Sequence, residues 1–254
     1  MPARTYVVTG AASGIGAATT ARLTNAGHRV ITVDLHDADV TVDLATADGR
    51  TALVDSVRAI AGDAVDAVVA GAGVSSDDPV TVRVNYFGAV ATLEGLRPLL
   101  AKGHRPRAAT ISSIASVQAI DEAIVTACTA GDEDEATRAA EGKGPLVYGS
   151  TKRALSRWVR RNAPTPEWAG ADITLNAVAP GVVRTPMTAP LLADPTWHAI
   201  VDDAVPMPLG GYAEPEEIAA LLDWLTSADN SKTTGQVIFI DGGADVVLRG
   251  EDVW

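Results

Sequence analysis

Aromatic residues make up only 4% of this 254-residue chain, so aliphatic packing must dominate its core. It has one cysteine, Cys128, which cannot form an internal disulfide, and the sequence shows no need of an oxidising compartment. Basic residues are scarce: 20 Lys and Arg stand against 32 Asp and Glu, a formal charge of −12. That balance repels nucleic-acid phosphates and anionic membrane surfaces. No apolar run reaches the roughly 18 residues a membrane span needs. Met1-Pro2-Ala3-Arg4-Thr5 leads directly into a strand-like run, so a soluble cytoplasmic protein is expected. His28, His36, His104 and His198 lack the spacing of metal ligands, and no metal is expected. There is also no Pro/Gly/Ser linker and no 20–50-residue repeat, which leaves one domain over residues 1–254.

With 47% hydrophobic and 20% charged residues, the chain can bury a substantial core. Residues 5–9 form a β-branched and aromatic run, followed by a Gly/Ala turn and an Ala/Thr/Leu stretch ending at Gly27; this reads as strand, tight turn and helix. Similar short apolar runs recur at Val30–Asp34, Ala67–Ala70, Ala108–Ser112, Ile173–Ala177 and Val237–Ile240, with helix-compatible stretches between most of them. The alternation predicts an α/β, doubly wound parallel sheet of Rossmann-like type with helices on both faces. Two zones break the rhythm. Residues 114–147 carry seven acids against Arg138 and Lys143 and read either as a solvated acidic helical excursion or as an interface or active-site wall. Residues 186–215 are rich in proline and carry Met187, Leu191, Leu192, Trp197, Met207 and Leu209; they read as a long apolar loop of the kind that forms a lid.

The turn after the first strand is Thr9-Gly10-Ala11-Ala12-Ser13-Gly14-Ile15-Gly16. Its glycines let the backbone turn sharply and approach a pyrophosphate at the N-terminus of the following helix. Asp34 ends the second strand 18 residues beyond Gly16, where a carboxylate can accept from the adenosine ribose hydroxyls. An added 2′-phosphate would meet that charge, and positions 10–16 hold no Lys or Arg to offset it. NAD is therefore expected over NADP. Asp43, before Leu44, can accept from the adenine amino group or serve as an ordinary surface aspartate.

Tyr148 and Lys152 are four residues apart at the start of a helical stretch running from Lys152 to Asn162, which puts phenol and ammonium on one face. A neighbouring cation lowers a phenol's pKa and fits it to exchange a proton with a substrate oxygen. Ser112-Ser113 lies at the end of the fourth strand-like run, and Asn85 lies in Val84-Asn85-Tyr86-Phe87-Gly88. A serine hydroxyl there can bond a reacting carbonyl oxygen, and the asparagine can hold a water that continues a proton path from the lysine.

In this order, Thr9–Gly16, Asn85, Ser113, Tyr148/Lys152 and the Asn176-Ala-Val-Ala-Pro-Gly-Val-Val-Arg-Thr185 run resemble the short-chain dehydrogenase/reductase family over essentially the whole chain. Ile240-Asp241-Gly242-Gly243 is similar to that family's last strand end. The resemblance implies hydride transfer between nicotinamide C4 and a carbinol carbon. Tyr148 would be the acid/base, Ser113 would orient the oxygen, Lys152 would hold the nicotinamide ribose and Asn85 a relay water. It places the cofactor against Gly10, Ser13, Gly14, Ile15 and Gly16, against Asp34, Leu35, Asp43 and Leu44, and against Ala70 and Gly71. Tyr148 and Lys152 continue the site, which ends at Pro180, Gly181, Val183 and Thr185.

Two departures from the family pattern stand out. Val69-Ala70-Gly71-Ala72-Gly73 replaces the usual Asn-Asn-Ala-Gly, and the gap from Ser113 to Tyr148 is lengthened to 35 residues. With Lys102-Gly-His104, these features resemble the bacterial 3α-hydroxysteroid dehydrogenase/carbonyl reductase subgroup. There the insert would obstruct the helix-pair interface of ordinary tetramers, implying a homodimer through another face. The apolar lid favours a small apolar ketone or secondary alcohol as substrate, such as a cyclic, steroid-like, terpenoid or aromatic carbonyl. A primary aromatic alcohol of coniferyl type, or a catalytically silent dinucleotide-binding regulator, are the competing readings.

Overall fold

The structure is a computed structural model that describes residues 3–251 and 253. Seven parallel strands form one sheet: β1 (Thr5–Thr9), β2 (Arg29–Asp34), β3 (Val40–Thr41), β4 (Ala67–Ala70), β5 (Arg107–Ile111), β6 (Thr174–Pro180) and β7 (Val237–Ile240). Their spatial order is β3-β2-β1-β4-β5-β6-β7. The central strands are buried on both faces, so their sequences read as continuous apolar runs without alternation. Val7 pairs with Ile31 on one side and Val68 on the other. The two-residue β3 was too short to register as an apolar run, and β6 continues three residues past Ala177 to Pro180.

The helices are α1 (Gly14–Asn25), α2 (Ala47–Ala61), α3 (Val80–Val82), α4 (Ala89–Leu100), α5 (Glu122–Ala130), α6 (Glu133–Ala140), α7 (Leu146–Asn162), α8 (Ala189–Ala193), α9 (Pro195–Ala204), α10 (Pro215–Thr226) and α11 (Ala244–Arg249). A π turn at Arg83–Gly88 joins α3 to α4. Neighbouring residues of β1 feed opposite faces. Val7 joins a core with Leu53, Leu93 and Leu155 from α2, α4 and α7, whereas Tyr6 and Val8 join Leu23, Ile218 and Leu222 from α1 and α10. Chain order reverses between β1 and β4, which opens a crevice at the carboxyl ends of the strands.

Residues 114–147 form a packed layer and not a solvated excursion. After a short 3-10 turn at Ile114–Val117, α5 and α6 bury Ile124, Val125, Cys128, Ala136 and Ala140 in the same core as α7. The acids lie outside that seam, and most have partners. Asp121 and Asp132 cap α5 and α6, where negative charge also meets the positive end of the helix dipole. Glu122 takes both arms of Arg157 at 3.0 and 3.1 Å, Asp121 pairs with Lys143 at 2.7 Å, and Glu133 reaches Arg50 at 2.7 Å.

Residues 186–215 likewise differ from the expected loop, because they contain α8 and α9. Two of the prolines that suggested a loop, Pro190 and Pro195, stand in the first turns of these helices, where a missing N–H costs nothing. Asp194 caps α9 by accepting from Thr196 and Trp197.

Candidate active site

One cleft runs along the carboxyl ends of β1, β2, β4, β5 and β6. Its walls include Gly10, Ser13, Gly14, Ile15 and Gly16, then Asp34, Leu35, Asp43 and Leu44, and farther along Gly71, Ser113, Tyr148 and Lys152. Pro180, Gly181, Val183 and Thr185 close it on the β6 side. Two predicted residues are absent from the walls. Ala70 is the last buried residue of β4, its carbonyl taken by the Thr110 hydroxyl at 2.8 Å, and the cleft begins one residue later. Asn85 is fully buried behind the wall.

The glycine turn is built for close approach. Gly10 and Gly14 have φ of +73° and +50°, which L side chains rarely adopt, and a Cβ on Gly16 would stand 1.9 Å from the Gly10 carbonyl oxygen. Ser13 makes no side-chain cap and the first turn of α1 contains no acid. The orphan N–H groups at this helix end are thus left for an anionic ligand. Across the crevice, Asp34 accepts from Ala12 N at 2.9 Å and Leu35 N at 2.7 Å. Two bonds fix the carboxylate and leave further lone pairs facing the cleft. Asp43 is exposed and accepts from Ala45 N at 2.9 Å. An anion-binding turn facing a fixed carboxylate fits the pyrophosphate and ribose of a dinucleotide.

The family's asparagine pair is missing, and the Thr9 side chain ties these strand ends. Its hydroxyl accepts from Gly71 N and Ala72 N, both at 3.1 Å, holding the end of β4 against β1. Sequence reading missed this role, because a threonine closing a strand carries no signal of a partner sixty residues away.

At the far end, α7 begins at Leu146, two residues before Tyr148 and earlier than expected. Gly149 allows this helix to lie against the 3-10 turn; a Cβ there would meet the Ala115 carbonyl at 2.9 Å. Ser112 and Ser113 divide their labour. Ser112 is buried and bonds Ser156 at 2.7 Å and the Lys152 carbonyl at 3.2 Å, fixing α7 to β5. Ser113 accepts from Ala115 N at 3.2 Å and hydrogen-bonds the Tyr148 phenol.

Burial pushes the Tyr148 phenol up, with the Ser113 bond pulling the other way. This reverses the lowering expected from a neighbouring lysine. Lys152 is only 4% exposed, and burial pulls its ammonium down to about 8. It stands 5.6 Å from the Tyr148 ring centroid and donates to the Ile111 carbonyl at 2.8 Å, which leaves two of its N–H groups for the cleft. Asn85 is committed elsewhere. Its Oδ1 accepts from Val74 N and its Nδ2 donates to Val74 O, both at 2.8 Å. The side chain is therefore a clamp on the β4 loop, with Nδ2 also donating to the Thr151 hydroxyl at 3.4 Å. Among the described residues no His/Cys/Asp/Glu cluster could hold a metal, and no helix is long and apolar enough to cross a membrane.

Residues 4–129 match the model described as short chain dehydrogenase, and residues 132–245 match that described as enoyl-(acyl carrier protein) reductase. The chain belongs to the short-chain dehydrogenase/reductase family of oxidoreductases. Within it, the chain is 40% identical over 252 residues to the 3-alpha-hydroxysteroid dehydrogenase/carbonyl reductase of Comamonas testosteroni, covering 96% of this chain and 97% of that one. It is 31% identical to the cis-4-hydroxycyclohexanecarboxylate dehydrogenase of Sinomonas cyclohexanicum, over 96% and 97% of the two chains. Among solved structures, the 3-alpha-hydroxysteroid dehydrogenase of a Pseudomonas species complexed with NADH superposes with a TM-score of 0.90 at 39% identity, over 97% of this chain and 99% of that one. The expected subgroup resemblance is thus borne out.

Proposed function

We propose that the protein is an NAD-dependent dehydrogenase that interconverts an apolar secondary alcohol and its ketone. The observation that carries this reading is the convergence of Ser113, Tyr148 and Lys152 at one end of the cleft whose other end holds Asp34 and the glycine turn. When bound, the nicotinamide supplies the acceptor or donor of the hydride. Ser113 orients the substrate oxygen, and Tyr148 gives it a proton in ketone reduction or removes one in alcohol oxidation. Lys152 holds the nicotinamide ribose through its free N–H groups and passes protons through a water held at Asn85. Asp34 favours NAD by accepting from ribose hydroxyls and repelling a 2′-phosphate.

Met187 reaches the cleft from the start of the lid, and Leu191, Trp197 and Ile200 of α8 and α9 are exposed, which supports an apolar cyclic, steroid-like, terpenoid or aromatic substrate. Two relatives named for hydroxysteroid and hydroxycyclohexane substrates point the same way. A cytoplasmic homodimer belongs to the same reading, because α5, backed by α6, covers α7 and leaves other faces for association; light scattering should give about twice the mass of one chain. The decisive experiment follows reduced-nicotinamide absorbance with NAD and NADP against a panel of such alcohols and ketones, repeated with Tyr148→Phe. Turnover with NAD that falls at least about 100-fold in the variant, with NADH still bound, supports the assignment; near-normal turnover refutes it.

A further inference from the structure

The lid is fastened firmly at its base and lightly along α8 and α9. At the base, Arg184 N donates to Ala213 O, Ala213 N to Val182 O and Leu209 N to Gly242 O, each at 2.9 Å. Farther out, no residue of α8 or α9 is buried. Among the described residues, one hydrogen bond reaches α9 from outside the 186–215 segment: Gln118 Nε2 donates to the Ala204 carbonyl at 2.7 Å. That carbonyl belongs to the last turn of α9, where acceptors have no intrahelical donor.

Gln118 is equally well placed at its own end. It closes the 3-10 turn Ile114–Val117 that starts from Ser113, its own N–H donating to Ala115 O at 3.2 Å. Arg153, next to Lys152, ties the same turn to α7 by donating to the Ser116 carbonyl. The bond from Gln118 therefore joins the rigid segment that positions the hydroxyl of Ser113 to the C-terminal end of α9, five residues before the Leu209 anchor. We propose that Gln118 is the latch of the lid, a positioning residue that holds α9 to the turn following Ser113 through the Ala204 carbonyl and thereby steadies Pro186–Thr188 at the cleft wall. This rests on the dehydrogenase reading only for its kinetic consequence; the mechanical link stands apart from it.

The test compares Gln118→Glu, which keeps the shape but replaces the donor with an acceptor facing a carbonyl, with Gln118→Lys, which restores a donor at similar reach. The lid from residue 186 to residue 215 contains no Lys or Arg but holds Leu191, Trp197 and Tyr212, so chymotrypsin reads its opening in the full-length protein without any substrate. Expected in Gln118→Glu is faster cleavage at Trp197 and a KM for the panel ketone raised about three- to tenfold, with kcat and NADH affinity close to wild type. Gln118→Lys should bring both cleavage and KM back toward wild type. Unchanged cleavage in Gln118→Glu, faster cleavage without a change in KM, or no recovery in Gln118→Lys each overturns the proposal. Absence of turnover in the wild-type protein would instead sink the dehydrogenase reading while cleavage still reports on the latch.

Discussion

The Lys152 ammonium, 5.6 Å from the centroid of the Tyr148 ring, is a charge the fold carries at a cost. Burial lowers it from 10.5 to about 8, a change worth about 3 kcal/mol at each pH where the buried group remains charged. In the unfolded chain the lysine holds its proton to higher pH, so between about 8 and 10.5 the unfolded state binds more protons and folding gains stability as pH rises. Below that window the full penalty remains. Lys152→Met should therefore raise the melting temperature at pH 7, by less at pH 10, while abolishing turnover. Equal stabilisation at both pH values would show that the ammonium is not penalised.

Activity should depend on pH according to direction. The raised Tyr148 phenol is protonated at neutral pH and suited to proton donation, so ketone reduction should be level through neutral pH and decline in alkali. Alcohol oxidation should climb through the alkaline range. Opposite slopes in pH–kcat profiles for the two directions are the expected result.

Asp34 reads the ribose only if its charge faces it. Asp34→Ala should reduce kcat/KM with NAD by about tenfold or more while affecting NADP much less, through loss of charge-assisted bonds and of repulsion. Steady-state kinetics with both cofactors give the ratio, and an unchanged preference would remove Asp34 from cofactor selection.

Thr9→Val removes the hydroxyl that accepts from Gly71 N and Ala72 N while keeping a β-branched shape in the strand. Ala72 N loses its acceptor and Gly71 N keeps only the Val69 carbonyl at 3.1 Å, which should cost about 1–3 kcal/mol of stability by denaturant unfolding. NADH binding should weaken too, because the Gly71 side of the cleft loosens. A variant of wild-type stability would mean that water replaces the hydroxyl.

Cys128 is fully buried in α5, and burial pushes its thiol up to about 12. Its nucleophilic thiolate is scarce at neutral pH, so folded protein should resist disulfide reagents that label it promptly in denaturant. Cys128→Ser should leave turnover near wild type, and a dead variant of wild-type stability would assign the insert a catalytic thiol.

The glycine turn, Asp34, Ser113, Tyr148 and Lys152 were legible in the sequence because their chemistry is written in local spacing: glycines where backbone meets ligand, an acid at a strand end, phenol and lysine one helical turn apart. Contacts across long separations were not. Nothing in the sequence around Asn85 indicates that both ends of its amide bind Val74, and nothing around Thr9 marks its hydroxyl as the acceptor for Gly71 N and Ala72 N. The lid helices were hidden by prolines that mark loops in general but here start helices. The direction of the Tyr148 shift depended on burial, a property of the assembled fold that the Tyr148–Lys152 spacing does not contain.

The insert has a consequence for how the enzyme behaves on dilution. The helix bearing Tyr148 and Lys152 is backed by the sheet on one face and by α5 on another, all from its own chain. Within the chain α7 is thus supported by its own α5, and specific activity should hold constant on dilution even below the concentration at which an assembly falls apart.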